Sequence, residues 1–202
     1  MTRKLPLYAE RALGQLHATR GYTVTEFEKQ FRANFAVSCK PGCAHCCHYP
    51  LYITVAEGLI LYRYLASKGR LTGALRKRLA EHADVTAFID PAVWMRSAIP
   101  CPLLDDKKHC VGYEGRPQAC RMTFSAGDPD KCDPQAYDPS EQGSTREIAR
   151  ASAAFEDKLL RAHGISPIRI PVSRALQIAE RVLSGELALN RIELTLYQEY
   201  KA

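Results

Sequence analysis

No stretch of roughly 18 consecutive apolar residues occurs in the sequence, so it offers no candidate for a membrane-crossing helix. The basic start Met1-Thr2-Arg3-Lys4 runs into Leu5-Pro6 rather than into an apolar segment with a small-residue cleavage site, so an export signal is not expected. A cytoplasmic protein is the expectation. Internal repeats and low-complexity tracts are also missing, which excludes repeat arrays and disordered linkers. With 46% hydrophobic and 25% charged residues, the 202-residue chain has the make-up of an ordinary globular protein and is long enough for one buried core.

Concentrated positive charge is absent too. The net charge of +6 comes from Lys and Arg spread along the chain, and the denser stretch from Arg70 to Arg78 fits the wet face of a helix. Neither nucleic acid nor a membrane is expected as a partner; a protein partner and the oligomeric state stay open. Paired carboxylates, a compelling Cys/His dyad and a glycine-rich loop after a strand are likewise lacking. No catalytic residue is assigned, and the question of enzymatic activity stays open.

What the chain has in excess is cysteine. Eight cysteines without a secretion signal are not an extracellular disulfide framework, and clustered thiols in a reducing compartment point to metal or redox chemistry. The first group is Cys39-Lys40-Pro41-Gly42-Cys43-Ala44-His45-Cys46-Cys47-His48. Pro41-Gly42 supplies a turn that lets the chain fold back and aim successive sulfurs at one place. Cys46 and Cys47 are adjacent, and neighbouring side chains tend to diverge, so they fit two different centres, or one ligand and one packed thiol.

The second group is Cys101-Pro102, Cys110, Cys120 and Cys132. A proline after a cluster cysteine turns the chain away from the cluster, as in ferredoxin-type runs. Arg116-Pro117 and Cys120-Arg121 set guanidinium groups beside the thiols, where they offset thiolate charge or form surface ion pairs. His45, His48 and His109 flank cysteines and read as surface or supporting groups rather than ligands. Tyr49 and Tyr113 read as core residues more readily than as shields of the site.

Around these groups the pattern is helical. Phe27, Phe31 and Phe35 stand four apart in an amphipathic helix over 25–36. Thr54-Val55-Ala56-Glu57 has the form of a capping box for a helix over 55–68. Leu75, Leu79, Val85 and Phe88 recur at near-helical spacing over 71–89, where Asp90-Pro91 stops the pattern. Residues 91–144 are rich in Pro, Gly and Asp and lack the apolar periodicity for a core of their own. Ser144 and Thr145 offer N-caps for a helix to about Ala162, another runs from Ser173 to Ser184-Gly185, and 187–200 form a terminal helix or an extended arm. The expectation is a mainly α single domain in three stretches: a helical 1–37, a cysteine-bearing 38–135, and a helical 136–202 packing on the same core.

Cys39-x3-Cys43-x2-Cys46-Cys47, followed by Cys101-Pro102-Leu103-Leu104, Cys110 with Tyr113, Arg116-Pro117 and Cys120-Arg121, resembles the YkgJ-type cysteine cluster family of zinc- or iron-chelating domains. The resemblance covers roughly residues 38 to 135, and Cys132 matches the additional downstream cysteine of many members. A similar pattern occurs in flagellin lysine N-methylases, which would imply an iron–sulfur site beside methyl-transfer machinery; without a nucleotide-type loop that activity is not carried across.

The thiol-only donor set, the Cys-Pro step and the resemblance together favour an iron–sulfur cluster, of the 4Fe–4S type, held by Cys39, Cys43, Cys46, Cys47, Cys101, Cys110, Cys120 and Cys132. Structural zinc is the alternative for the same thiols. A thiol redox protein using Cys43-x2-Cys46, and a relative of a lysine-methylase-like enzyme, are the others.

Overall fold

Thr54 starts a helix as its sequence predicts. Its hydroxyl accepts from the Glu57 amide at 3.1 Å, and the Glu57 carboxylate accepts from the Thr54 amide at 3.1 Å, closing a reciprocal cap. The computed structural model describes residues 4–34, 37, 39, 42–123, 125, 128–135 and 146–201. In chain order the elements are α1 (Leu7–Asn34), β1 (Tyr52–Thr54), α2 (Val55–Ser67), α3 (Gly73–Thr86), α4 (Pro91–Ser97), α5 (Gln118–Arg121), α6 (Arg146–Ala162), β2 (Arg169–Pro171), α7 (Val172–Ser184) and α8 (Ile192–Lys201). Short 3-10 turns lie at His45–His48, Tyr113–Gly115, Pro129–Cys132 and Leu189–Arg191. The protein is mainly α. Among the described residues no helix is long and apolar enough to cross a membrane.

The centre of the fold is a pair of strand–helix units. β1 runs straight into α2 and β2 into α7, and the two strands pair antiparallel in the register Tyr52↔Pro171, Ile53↔Ile170, Thr54↔Arg169. That pairing brings the two helices together along their apolar faces, where Leu59, Leu65, Leu176 and Ile178 are all but fully buried. Ala9, Leu13 and Leu16 of α1, Leu75 and Leu79 of α3, Leu160 of α6 and Ile192 at the start of α8 join the same buried cluster.

Close approach of α2 to α7 depends on Gly58. A Cβ built there would stand 2.8 Å from the Ala175 carbonyl oxygen and 3.1 Å from the Ala175 Cβ. Helix propensity alone favours Gly58→Ala by about 1 kcal/mol. The clash is with backbone, which cannot swing aside, so packing wins, and we expect Gly58→Ala to lose about 1–3 kcal/mol in urea denaturation. A gain in stability would show that the helices separate freely.

Several sequence expectations shift. The helix over 25–36 is the end of the far longer α1; Phe27 and Phe31 pack with tilted rings, centroids 5.9 Å apart, and form a small satellite core with Met122. Phe35, and the caps at Ser144 and Thr145, lie outside the described residues. Val85 and Phe88 are not core: they are 58% and 71% exposed, because α3 ends at Thr86 and packs only its Leu75–Leu79 side. Asp90-Pro91 does end that pattern, but it also begins α4: the Asp90 carboxylate accepts from the Ala92 and Val93 amides at 2.8 and 3.2 Å with Pro91 in the first turn. The terminal 187–200 segment is helical over Ile192–Lys201.

Candidate metal centre

The two cysteine groups, more than fifty residues apart in sequence, meet. The Cys101 amide donates to the Cys47 carbonyl at 2.7 Å, stitching the Cys-Pro segment to the 3-10 turn that carries Cys46 and Cys47. Leu104 bridges Cys110 in an antiparallel step, so Cys101 and Cys110 flank a tight excursion of chain. Leu103, within it, is anchored in the main core. Cys120 arrives on α5, whose first amide, that of Gln118, donates to the buried Glu57 carboxylate at 3.1 Å. Glu57 therefore has two roles: it caps α2 and it ties down the helix that bears Cys120.

Cys43, Cys46, Cys47, Cys101, Cys110 and Cys120 line one cavity of about 410 Å³, together with Tyr49, Tyr113, His109 and Arg116. Cys39 and Cys132 lie outside its wall. Cys39 Sγ accepts from the Ser125 amide at 3.2 Å, and Cys132 is buried beneath the Tyr49 hydroxyl, which donates to the Cys132 carbonyl at 2.6 Å. Tyr49 and Tyr113 belong to the thiol cavity rather than to the core, and Tyr113 is 56% exposed at its rim. None of the eight cysteines is in a disulfide. Among the described residues no three Cys, His, Asp or Glu side chains already stand as a closed ligand set around a single ion.

Burial is the main force on most of these thiols. It pushes Cys39, Cys43, Cys101, Cys110 and Cys120 above the ordinary thiol range, and in Cys46 the largest influence is the neighbouring Cys47 thiol, followed by burial. Backbone dipoles pull the other way. The amide two residues on from Cys43, Cys101 and Cys110, that of His45, Leu103 and Gly112, lies on the sulfur's side and favours its charged form, as the Ser125 amide does for Cys39. The proline in Cys101-Pro102-Leu103 lacks an N–H of its own, so the next amide is the one turned back on the sulfur.

Of the two arginines beside the thiols, Arg116 lines the cavity and Arg121 does not. Arg116 is held by its Nε, which donates to the Tyr113 carbonyl at 2.7 Å, and its guanidinium lies 3.5 Å from the Tyr113 ring centroid. The loop can press this close because Gly115 has no side chain: a Cβ there would sit 2.6 Å from the Tyr64 ring. The Arg116 charge lowers the thiol pKa values of Cys46, Cys110 and Cys120 against the pull of burial. His48 is turned away to the Ala44 carbonyl at 3.1 Å, and His45 faces Asp130 and Asp133 at 3.7 and 3.8 Å.

A thiol-lined cavity inside a helical scaffold, with a guanidinium on the same wall, defines a cysteine-cluster metal-binding domain. Residues 38–148 match the CxxCxxCC family, described as a "putative zinc- or iron-chelating domain", and the chain belongs to that family. No curated protein and no solved structure matches the chain.

Proposed function

We propose that this protein is an iron–sulfur protein, with a 4Fe–4S cluster seated in the cavity between the two cysteine groups. The observation that carries the reading is the distribution of the thiols: six line a cavity instead of converging on a point. A tetrahedral zinc site, with Zn–S of about 2.3 Å, needs four sulfurs within about 4 Å of one another. A polynuclear cluster spreads its ligands over several metal atoms and uses thiolates alone. The donor set fits that group: thiols in a largely apolar setting, backbone amides that favour the thiolate form of three of them, and the Arg116 and Lys108 side chains on the same wall against the combined negative charge. When bound, such a cluster supplies one-electron redox chemistry.

The protein's own residues wall the site and bias its charge. Leu103 and the Tyr49 and Tyr113 rings wall the cavity, and Arg116, stacked on Tyr113, offsets thiolate charge at its mouth. A dithiol redox role for Cys43-x2-Cys46 has less support. Reactive thiols need a lowered pKa, commonly at a helix N-terminus, whereas both of these are raised and sit at a short 3-10 turn.

Anaerobic purification with iron, acid-labile sulfide and zinc analysis tests the reading. Brown protein with iron and sulfide in equal amounts is the expected result. Colourless, zinc-replete protein would make the same thiols a structural zinc site.

A further inference from the structure

A second cavity, of about 760 Å³, shares no lining residue with the thiol cavity. Its floor is β2, through Ile168, Ile170 and Pro171; one wall is the end of α3 and the chain just past it, and the other is α8. Phe88 on the first wall and Tyr197 on the second are each more than half exposed, and Ile168 of the floor is exposed as well. Single exposed apolar groups are ordinary, but three around one groove mark a contact surface.

The α8 wall is held in place. Leu196 packs on the main core, the Glu193 carboxylate accepts from the Ser166 hydroxyl, and Glu199 pairs with Arg174 and accepts from Arg181 at 3.0 Å. A groove with fixed walls loses little freedom when it is filled.

Charge selects the occupant. The chain carries a net +6, yet the charged side chains lining the groove are Asp84, Glu193 and Glu199 against Arg174 alone. Glu199 neutralises Arg174, and Arg181 beside it also has Glu186 at 2.9 Å, so Asp84 and Glu193 set the local sign. Lys201 of the same helix places its ammonium 4.7 Å from the Tyr197 ring centroid, so that aromatic face already receives a cation. An apolar floor between helical walls, rimmed by carboxylates and by a ring that accepts an ammonium, is complementary to a helix with an apolar stripe flanked by basic residues.

We propose that the groove between α3 and α8 docks a basic amphipathic helix of a partner protein, with its apolar side chains seated between Phe88 and Tyr197 and its lysines or arginines toward Asp84 and Glu193. The surface is separate from the thiol cavity and does not depend on which metal that cavity holds.

The full chain as purified is titrated with three dye-labelled synthetic peptides. One is a helix-forming leucine–lysine peptide with leucines at alternating three- and four-residue spacing, one its twin with glutamate for lysine, and one a scramble that breaks the spacing. Fluorescence anisotropy should show the patterned basic peptide binding about tenfold or more tighter than either control, with affinity falling as salt rises. Phe88→Ala and Tyr197→Ala, both at exposed positions, should each weaken that binding about tenfold while the melting temperature and metal content stay unchanged. Hydrogen exchange reads the same contact on the wild type: the peptide should slow amides within 83–88 and 192–199 and leave 42–51 as they were. Equal binding of the scramble or of the acidic twin, or slowing confined to other segments, would overturn the proposal. So would a concentration-dependent dimer in sedimentation that F88A/Y197A dissolves, since a second copy of the chain would then fill the groove.

Discussion

Stripping the metal with a chelator is expected to open residues 98–135 to protease while the core of α2 and α7 stays folded. The cysteine-bearing stretch contributes few buried side chains of its own, chiefly Pro102, Leu103, Pro117, Gln118, Met122, Ser125 and Cys132 among the described residues. Its ties to the scaffold are mostly single hydrogen bonds, Cys101–Cys47, Gln118–Glu57, Gln118–Ser152, Tyr64–Glu114, Arg70–Val111 and Arg78–Pro102, with Leu103 and Met122 as its apolar anchors. Structural metal sites contribute folding free energy of about 10 kcal/mol or more at neutral pH, more than these largely exposed bonds supply at about 1 kcal/mol each. By contrast, α2 and α7 bury an almost continuous apolar face. Limited proteolysis with mass mapping should therefore show new cuts within 98–135 in the stripped protein. Identical digestion with and without metal would mean that the stretch stands by itself.

The same experiment has a pH signature. Thiols raised in the folded state keep their contribution below the unfolded thiol value of about 8.5 and lose it as pH climbs toward the folded values. The metal-free protein, with Cys39, Cys43, Cys101, Cys110 and Cys120 all raised, therefore weakens above that pH. Metal uptake runs the opposite way, since ligation takes the thiolate, and it tightens as pH rises.

How much of this was legible beforehand depends on whether the signal is local. The Thr54–Glu57 cap and the α7 stop at Gly185 are short-range and readable from neighbouring residues, whereas the family is legible only from the two cysteine groups taken together. The first two-thirds of α1 is legible only as part of a helical 1–37, with no stripe that marks its bounds, because its buried side is made largely of Ala9, Ala12, Leu13 and Leu16. Small residues leave a faint stripe in sequence, although they pack tightly in the core. Asp90-Pro91 was read as a stop and not also as a start, since a capping Asp with Pro in the first turn serves both helices it separates. Tyr49 and Tyr113 were read as core because an isolated aromatic carries no direction. Only the meeting of the two cysteine groups puts both rings on the cavity wall. The wide sequence separation of those groups is also why no spacing rule could say that Cys39 and Cys132 fall outside the cavity.

Glu57 is the residue whose importance was least visible, and its replacement is expected to have an effect out of proportion to its place in a helix. In sequence it is a capping-box glutamate. In the fold it is buried, 5% exposed, and its two oxygens accept from the Thr54 amide and the Gln118 amide, both at 3.1 Å. The Thr54 hydroxyl beside it donates to the buried Glu156 carboxylate at 2.6 Å, and Arg169 closes the group from β2. Glu57→Ala would orphan two buried amides at about 1–3 kcal/mol each and leave a void, so a loss of about 3 kcal/mol or more in chemical denaturation is expected. The damage should also reach the site. Freed of its anchor, α5 would no longer hold Cys120 against the cavity, and alkylation of Cys120 in metal-free protein should accelerate strongly. Removing the carboxylate charge also lowers the Cys120 pKa, because Glu57 is one of the groups that raise it. Glu57→Gln separates the two effects, since it removes the charge but keeps an oxygen acceptor for one amide. If anchoring dominates, the Gln variant should alkylate more slowly than the Ala variant and retain more of its metal; equal acceleration in both variants would show that one uncharged oxygen does not hold α5.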